Sequence, residues 1–153
     1  MKAKPATWKF VVGAVTLAGI VAVMILLSAK NGPHDVARVA HADPELQAAS
    51  KEAQKGLAGF IKELLSPKPD EGFAIKGAFT TSQGPEYLWV RSPDYKDGVF
   101  IGTLDQQPIA LTGKKKGDIV RVPKKDVFDW LIRDDRGIQG MFTDKVLEKR
   151  ARG

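Results

Sequence analysis

A change of hydrophobic period at Asp70 constrains this chain more than any other feature. Before it, Asp43 and Pro44 form an N-cap and a first helical position, and Ser66-Pro67-Lys68-Pro69 ends the segment. Between them the apolar residues recur at helical spacing: Leu46, Ala49, Ala53, Leu57, Phe60, Ile61, Leu64 and Leu65. The pattern predicts an amphipathic helix from Asp43 whose apolar stripe covers a neighbouring sheet.

After Asp70 the apolar residues alternate, and turn residues recur every eight to twelve positions. The alternation predicts short strands at 73–79, 87–91, 99–104, 119–122, 126–132 and 138–142, with Ser92-Pro93-Asp94 as one of the turns. In the first strand, Phe73, Ile75 and Phe79 alternate with Ala74, Lys76 and Ala78, which predicts one buried face. Thr143 or Asp144 is predicted to cap a final short helix.

The connections between these strands are too short for parallel pairing, which needs crossovers of about a dozen residues. The sequence therefore predicts an α+β fold, with an amphipathic helix packed on an antiparallel sheet of five to six short strands. A small SH3-like barrel is the alternative.

The N-terminal part carries a different signal. From Phe10 to Ala29 no residue is charged and 16 of 20 are apolar, which is long enough to cross a bilayer as a helix. Lys2, Lys4 and Lys9 precede it, and this bias favours a cytoplasmic N-terminus. The prediction is a cytoplasmic tail (1–9), a transmembrane helix (10–29), a linker (30–42) and an exported domain (43–153).

A cleaved signal peptide is the alternative to a retained anchor. Its best cleavage site, Ala40-His41-Ala42, lies at least eleven residues beyond the apolar run. The length of the run favours a retained anchor. Either alternative places the domain outside the cytoplasm, and the retained anchor makes the chain a single-pass protein of the cell inner membrane. The expected partner is then the lipid bilayer, through residues 10–29, together with an unidentified envelope protein.

The net charge of +6 would ordinarily suggest a nucleic-acid partner. Half of this charge belongs to the three lysines before the apolar run. Lys114, Lys115 and Lys116 lie in a predicted turn, where lysines are expected to face solvent. Export makes nucleic acid an unexpected partner. Cysteine is absent, which excludes disulfides and thiolate sites, and both histidines lie in the linker. No metal or cofactor is expected.

No catalytic or phosphate-binding motif is present. Asp126 and Asp129 are the candidates for a paired-carboxylate hydrolase, although aspartates near turns are more often structural. Trp89 and Trp130 could form an aromatic binding platform, but tryptophans on strands more often lie in the core.

Several motifs occur in a characteristic order: Glu86-Tyr87-Leu88-Trp89-Val90, Asp97-Gly98-Val99-Phe100-Ile101-Gly102-Thr103-Leu104, Pro108, Gly117-Asp118-Ile119-Val120, Asp126-Val127-Phe128-Asp129-Trp130 and Gly140-Met141-Phe142-Thr143. This series resembles the bacterial family called domain of unknown function 2314, the YegJ-like proteins, over about residues 47 to 148. Tyr87, Gln106 and Lys145 depart from the family's usual His, Asn and Arg.

The resemblance implies small bacterial domains, some of them exported, with no established reaction. The family's common motif positions map onto Trp89, Gly102, Pro108, Gly117, Asp118, Asp129, Trp130, Gly140 and Thr143. The sequence as a whole favours a membrane-anchored exported domain that binds a partner without catalysis. The alternatives are a carboxylate-dependent hydrolase and a cleaved, soluble periplasmic protein with the same domain.

Overall fold

A computed structural model describes residues 42–152 of the chain. Its elements in chain order are α1 (Pro44–Leu64), β1 (Gly72–Thr81), β2 (Gly84–Lys96), β3 (Val99–Leu104), β4 (Ile119–Pro123), β5 (Val127–Asp134), β6 (Gly137–Gly140) and α2 (Phe142–Arg152). A short 3-10 helix, Lys124–Asp126, joins β4 to β5. The predicted tail, transmembrane helix and nearly all of the linker lie outside the described residues. Within 42–152, no helix combines the length and apolarity that a membrane crossing requires.

The six strands form one antiparallel sheet in the order β4-β3-β2-β1-β5-β6. With the two helices this is the predicted α+β class. The sheet keeps two edges, β4 and β6, so it is not a closed barrel. It is nevertheless strongly curled, because Val122 of β4 reaches Gly77 of β1 across two intervening strands. A Cβ atom built on Gly77 would lie 2.8 Å from Val122 Cγ2.

The main core lies between α1 and the concave face of this curled sheet. Phe60 of α1 is buried, with ring centroids 5.9 Å from Phe73, 6.2 Å from Phe100 and 5.4 Å from Trp130. Trp130 also donates its indole N–H to the carbonyl of Ala53 at 2.7 Å. Burial of the apolar stripe of α1 against the sheet is thus confirmed from Leu46 to Leu64, at a gain of about 25 cal/mol per Å² of apolar surface. Leu65 was wrongly included in the stripe, because it follows the last residue of α1 and is 60% exposed.

The predicted turn at Ser92-Pro93-Asp94 was wrong. β2 continues through these residues, and its pairing with β3 shifts register between Arg91 and Asp94. A bulge of this kind accommodates a proline, which has no N–H to donate to the ladder. Gly102 on β3 makes room for it, since a Cβ there would lie 2.8 Å from the carbonyl oxygen of Arg91.

The predicted start of α1 at Asp43 is confirmed. The Asp43 carboxylate accepts hydrogen bonds from the backbone N–H groups of Glu45 (3.0 Å) and Leu46 (3.1 Å). Arg150, near the end of α2, donates to the same carboxylate and to that of Glu45. The two helices are therefore joined at this end of the domain by a charged cluster.

The charged cluster should make the stability of the domain pH-dependent. Hydrogen bonding to Arg150 lowers the pKa of Asp43 from 3.8 to about 2. The folded state thus favours the carboxylate, and its stabilising effect is present above about pH 4 and lost as the pH falls toward 2. We expect Asp43→Asn to lower the melting temperature at pH 6, with a deficit that shrinks steadily between pH 4 and pH 2.

The matched control for that experiment is the same substitution in an Arg150→Met background. There the Asp43→Asn deficit should be smaller and should vary little across this range, because the partner is already absent. A deficit of equal size at pH 2 and pH 6 in the Arg150-containing chain would contradict the assignment.

Candidate functional site

Three of the strands place polar and aromatic residues in one row on the convex side of the sheet. Lys76 on β1 pairs with Trp89 on β2 and with Asp129 on β5. Their neighbours Ile75 and Val90 belong to the main core. Since successive side chains on a strand point to opposite faces, the row faces away from that core. The first turn of α2 covers it.

Lys76 is the centre of this row and is only 5% exposed. Its Nζ atom lies 2.5 Å from Asp144 Oδ1 and 3.0 Å from Thr143 Oγ1, both on α2. It also lies 4.8 Å from the centroid of the Trp89 ring. An ammonium group has three N–H donors, and these three contacts can occupy all of them. The lysine therefore joins the sheet to the final helix.

The second carboxylate oxygen of Asp144 also accepts a hydrogen bond on the convex side of the sheet. Its Oδ2 atom accepts the indole N–H of Trp89 at 3.1 Å, while Oδ1 accepts from Lys76. Asp144 is 1% exposed. A buried carboxylate is tolerated only with such partners, so Trp89 and Lys76 together account for a charge inside the domain.

Asp129 supplies the cap that α2 lacks in its own sequence. One carboxylate oxygen accepts from the backbone N–H groups of Trp130 (2.8 Å) and Phe142 (3.2 Å). The other accepts from the backbone N–H of Thr143 (2.8 Å) and from its hydroxyl (2.7 Å). The carboxylate thus sits at the positive end of the helix dipole and satisfies two N–H groups that have no partner within the helix.

Burial is the dominant influence on the pKa of Asp129 in this network. Burial raises the pKa of Asp129, whereas the hydrogen bonds from Thr143 and Trp130 and the charge of Lys76 oppose that rise. One lysine and two aspartates share the site, so a formal charge of −1 remains inside when all three are ionised. The N-terminal end of α2 provides the compensating positive potential. We call Lys76, Trp89, Asp129, Thr143 and Asp144 the lysine network.

The backbone that leads into α2 has a conformation that few residues tolerate. Gly140 has φ +82° and Met141 has φ +54°. A Cβ atom on Gly140 would lie 2.1 Å from the carbonyl oxygen of Trp130, which also accepts the Met141 N–H at 2.9 Å. Glycine is therefore required where β6 meets β5, and this turn aims Thr143 at Asp129.

The predicted motif positions fall into two groups. Trp89, Asp129 and Thr143 belong to the lysine network, and Trp130 on β5 and Gly140 on β6 shape the backbone that leads into α2. The remaining positions serve the bulge and the β3–β4 loop: Gly102, Pro108, Gly117 and Asp118. They do not converge on the lysine network.

The β3–β4 loop is held by a carboxylate that the sequence reasoning did not single out. Glu86 accepts hydrogen bonds from the backbone N–H groups of Ile109 (2.6 Å), Ala110 (3.1 Å) and Leu111 (2.7 Å). Pro108 is buried just before them. Further along the loop, the Asp118 carboxylate accepts from Lys115 N–H at 3.0 Å, and Gly117 has φ +95°. The motif positions of this loop therefore shape its backbone.

The prediction that β1 has one buried face was wrong, because α2 covers Lys76 on the other face. Lys76 and Asp144 were missed as members of a buried pair for the same reason. One signal was available: Ala74 and Ala78 flank Lys76 on the convex side, and small residues there leave room for a covering helix. The pattern of the strand alone does not predict that Lys76 contacts Thr143 on a helix 67 positions later in the chain.

The tryptophans lie in the interior, as expected for strand residues, with Trp89 5% and Trp130 8% exposed. They cannot form one platform, because they lie on opposite faces of the sheet: Trp89 is beside Lys76 on the convex face, and Trp130 packs in the main core. Asp129 is 0% exposed, so it does not face Asp126 across an open cleft.

The buried polar side chains of the lysine network already have hydrogen-bond partners within the domain. Among residues 42–152, every buried side-chain nitrogen or oxygen has a hydrogen-bond partner. In the same residues, no three His, Cys, Asp or Glu side chains are grouped as metal ligands. What this arrangement does is hold α2 against the sheet.

Comparisons with known proteins agree with the motif series. The model of the family described as "Uncharacterized protein conserved in bacteria (DUF2314)" matches residues 43–152. The chain is also 30% identical over 95 residues to "Uncharacterized protein YegJ" of Escherichia coli (strain K12). That match covers 62% of this chain and 61% of the relative, less than two thirds of its length. No solved structure is significantly similar. The family match spans the whole described domain, and the chain therefore belongs to the DUF2314 family of YegJ-like bacterial proteins.

Proposed function

We propose that this chain is a membrane-anchored, exported domain that binds an envelope partner and performs no catalysis. The observation that carries the proposal is the saturation of the lysine network. Its acidic and basic groups are of the kind that enzymes use, yet each of them is engaged in hydrogen bonds that attach α2 to the sheet. The aspartate of the hydrolase alternative, Asp129, is the cap of that helix.

The anchoring half of the proposal is supported by the N-terminal sequence. An uncharged run of 20 residues follows three lysines, and the folded domain begins at Asp43 after a short linker. A helix of that length and composition inserts into a bilayer, and flanking lysines remain on the cytoplasmic side. The domain would then act at the outer surface of the membrane.

The binding half is supported by the exposed surface of the domain. Among residues 42–152, four large apolar side chains are exposed: Leu65 by 60%, Ile109 by 68%, Ile119 by 61% and Ile138 by 41%. Ile119 and Ile138 lie on the two edge strands, β4 and β6. Edge strands have unpaired backbone groups and are common sites for adding an extended partner segment.

Topology is tested by fusing reporters to the C-terminus of the full-length chain. We expect a phosphatase that folds only outside the cytoplasm to be active, and a fluorescent protein that fails to mature after export to be dark. The chain should also resist carbonate extraction from membranes. A fluorescent, phosphatase-negative fusion would overturn the orientation, and a mature N-terminus near Asp43 would establish the cleaved alternative.

The absence of catalysis is tested with Asp126, the partly exposed member of the proposed hydrolase pair. A photoreactive residue at Ile138 should form discrete adducts with an envelope protein in cells. We expect Asp126→Asn to leave those adducts unchanged in amount and mass. Selective accumulation of a trapped species in Asp126→Asn, absent in the parent chain, would favour the hydrolase.

A further inference from the structure

One end of the domain gathers the start of α1, the end of β1 and the start of β2. Leu46, in the first turn of α1, packs in a small cluster with Phe128 and Tyr87. Glu86 precedes Tyr87 on β2, and its carboxylate accepts a hydrogen bond from the backbone N–H of Ile109 in the β3–β4 loop. The β3–β4 loop therefore lies at the end of the domain where residues 1–42 join it. We call this the attachment end.

The loop at the attachment end combines apolar and cationic side chains. Ile109 and Ile119 are 68% and 61% exposed, and Lys114, Lys115 and Lys116 lie between them in sequence and are exposed. Lys114 Nζ is 3.5 Å from the carbonyl oxygen of Ile119, so Lys114 and Ile119 lie together in space. We call residues 105–119 the basic loop.

The basic loop is held in shape by bonds at several points. Besides the three N–H groups bound by Glu86, Lys116 N–H donates to Gln107 Oε1 at 3.3 Å and Gly117 N–H donates to the carbonyl of Leu104 at 2.9 Å. A loop that is already ordered loses less conformational freedom when it binds a surface. Its exposed side chains are thus displayed on a fixed backbone.

The charge of the basic loop is available to a partner. No ion pair among residues 42–152 includes any of the three lysines. Asp105 lies 3.6 Å from Arg91 and Glu86 is buried, so neither offsets the lysines at the loop tip. Asp118, whose carboxylate accepts the backbone N–H of Lys115, lies beside the three lysines, and the four charged groups together leave a net charge of +2. The exposed tip of the loop is therefore cationic, with an isoleucine on either side of it in sequence.

We propose that the basic loop rests on the anionic lipid headgroups of the membrane that anchors this chain. The proposal depends on the anchor proposed above. Isoleucine side chains can enter the boundary between headgroups and acyl chains, and each lysine near an anionic surface adds favourable electrostatic energy. A linker of 13 residues (30–42) spans about 45 Å at most, which keeps the attachment end beside the bilayer. Tethering then makes even weak contacts frequent.

Because the chain has no cysteine, a single cysteine can carry an environment-sensitive fluorophore without background labelling. The full chain is reconstituted in nanodiscs of phosphatidylcholine alone or with about one third phosphatidylglycerol. We expect Ile109→Cys and Ile119→Cys labels to shift to shorter wavelength only in the anionic discs, and to return at high salt. Substitution of Lys114, Lys115 and Lys116 by glutamine should abolish the shift, because each lysine removed lowers the equilibrium constant for contact with the anionic surface about fivefold.

Ile138→Cys is the matched control. Ile138 is exposed and pairs with Arg133, which faces Gly72 at the start of β1. The 10 residues of β1, roughly 30 Å of strand, separate that position from the attachment end. Its label should not respond to anionic lipid.

The outcomes separate the two proposals. A chain that incorporates into neutral discs but whose Ile109 label ignores anionic lipid would overturn the membrane contact and leave the anchor intact. A chain that fails to incorporate into neutral discs would refute the anchor, and binding to anionic vesicles alone would then still support the basic loop. A shift that is equal in neutral and anionic discs would overturn the role of the lysines.

Discussion

Replacing Lys76 by methionine should destabilise the domain by about 3–5 kcal/mol. The substitution removes the cation but leaves the Asp144 carboxylate 1% exposed, with only the indole N–H of Trp89 as a partner. Thr143 also loses a donor. A buried charge without its counter-charge is among the few causes of effects this large. Urea unfolding of the full chain, followed by tryptophan fluorescence, measures the change.

Two further variants make the Lys76 result specific. Lys51→Met, on the exposed face of α1, makes the same chemical change at the surface and should stay within about 0.5 kcal/mol of the parent. Adding Asp144→Asn to Lys76→Met removes the unpaired charge while keeping an acceptor for Trp89, so it should recover part of the lost stability. If Lys76→Met behaves like Lys51→Met, the lysine network does not hold the fold together.

Replacing Asp129 by alanine should cost about 3–4 kcal/mol and release α2. Four donors lose their acceptor at once, two of them the N–H groups of Phe142 and Thr143 at the start of the helix. Loss of a helix cap alone costs about 1–2 kcal/mol, and each buried donor left unpaired adds about 1–3 kcal/mol before relaxation. Amide exchange should speed up most at Phe142 and Thr143, with smaller changes in the main core.

Asp129→Asn tests whether charge or shape matters at this position. The amide keeps one acceptor but presents two hydrogens to N–H groups that need an acceptor, so we expect most of the alanine effect. Asp135→Asn, in the exposed turn between β5 and β6, is the control and should change little. Native amide exchange at Phe142 in the Asp129→Asn variant would show that the carboxylate is dispensable.

The parts of the fold that sequence could predict depend on local chemistry. The start of α1 follows from Asp43 and Pro44, which cap a helix wherever they occur before an apolar stripe. The strand Val99–Leu104 follows from alternation between two turn signals and has the predicted bounds. Antiparallel order followed from short connections. Each inference needed only residues close together in the chain.

The parts that sequence could not predict depend on distant residues. Pro93 is typical of a turn, yet the missing side chain at Gly102 on the next strand lets the backbone of β2 approach closely and form a bulge there. Lys76 resembles a solvent-facing residue, yet Asp144, 68 positions later, buries it. Trp89 and Asp129 were singled out by resemblance to a family, which marks positions without showing that they meet. Only the register of three strands shows that they do.

The position of α2 after every strand has a consequence for how the domain is completed during synthesis. Lys76, Trp89 and Asp129 all leave the ribosome before Thr143 and Asp144, the residues that bind them. Until α2 is synthesised, Lys76 and Asp129 on the convex side of the sheet lack the helix that buries them in the complete domain. The sheet can form early, but the domain is closed only by its final 11-residue helix. A chain that ends before α2 therefore lacks every side-chain partner that this helix supplies to Lys76, Trp89 and Asp129.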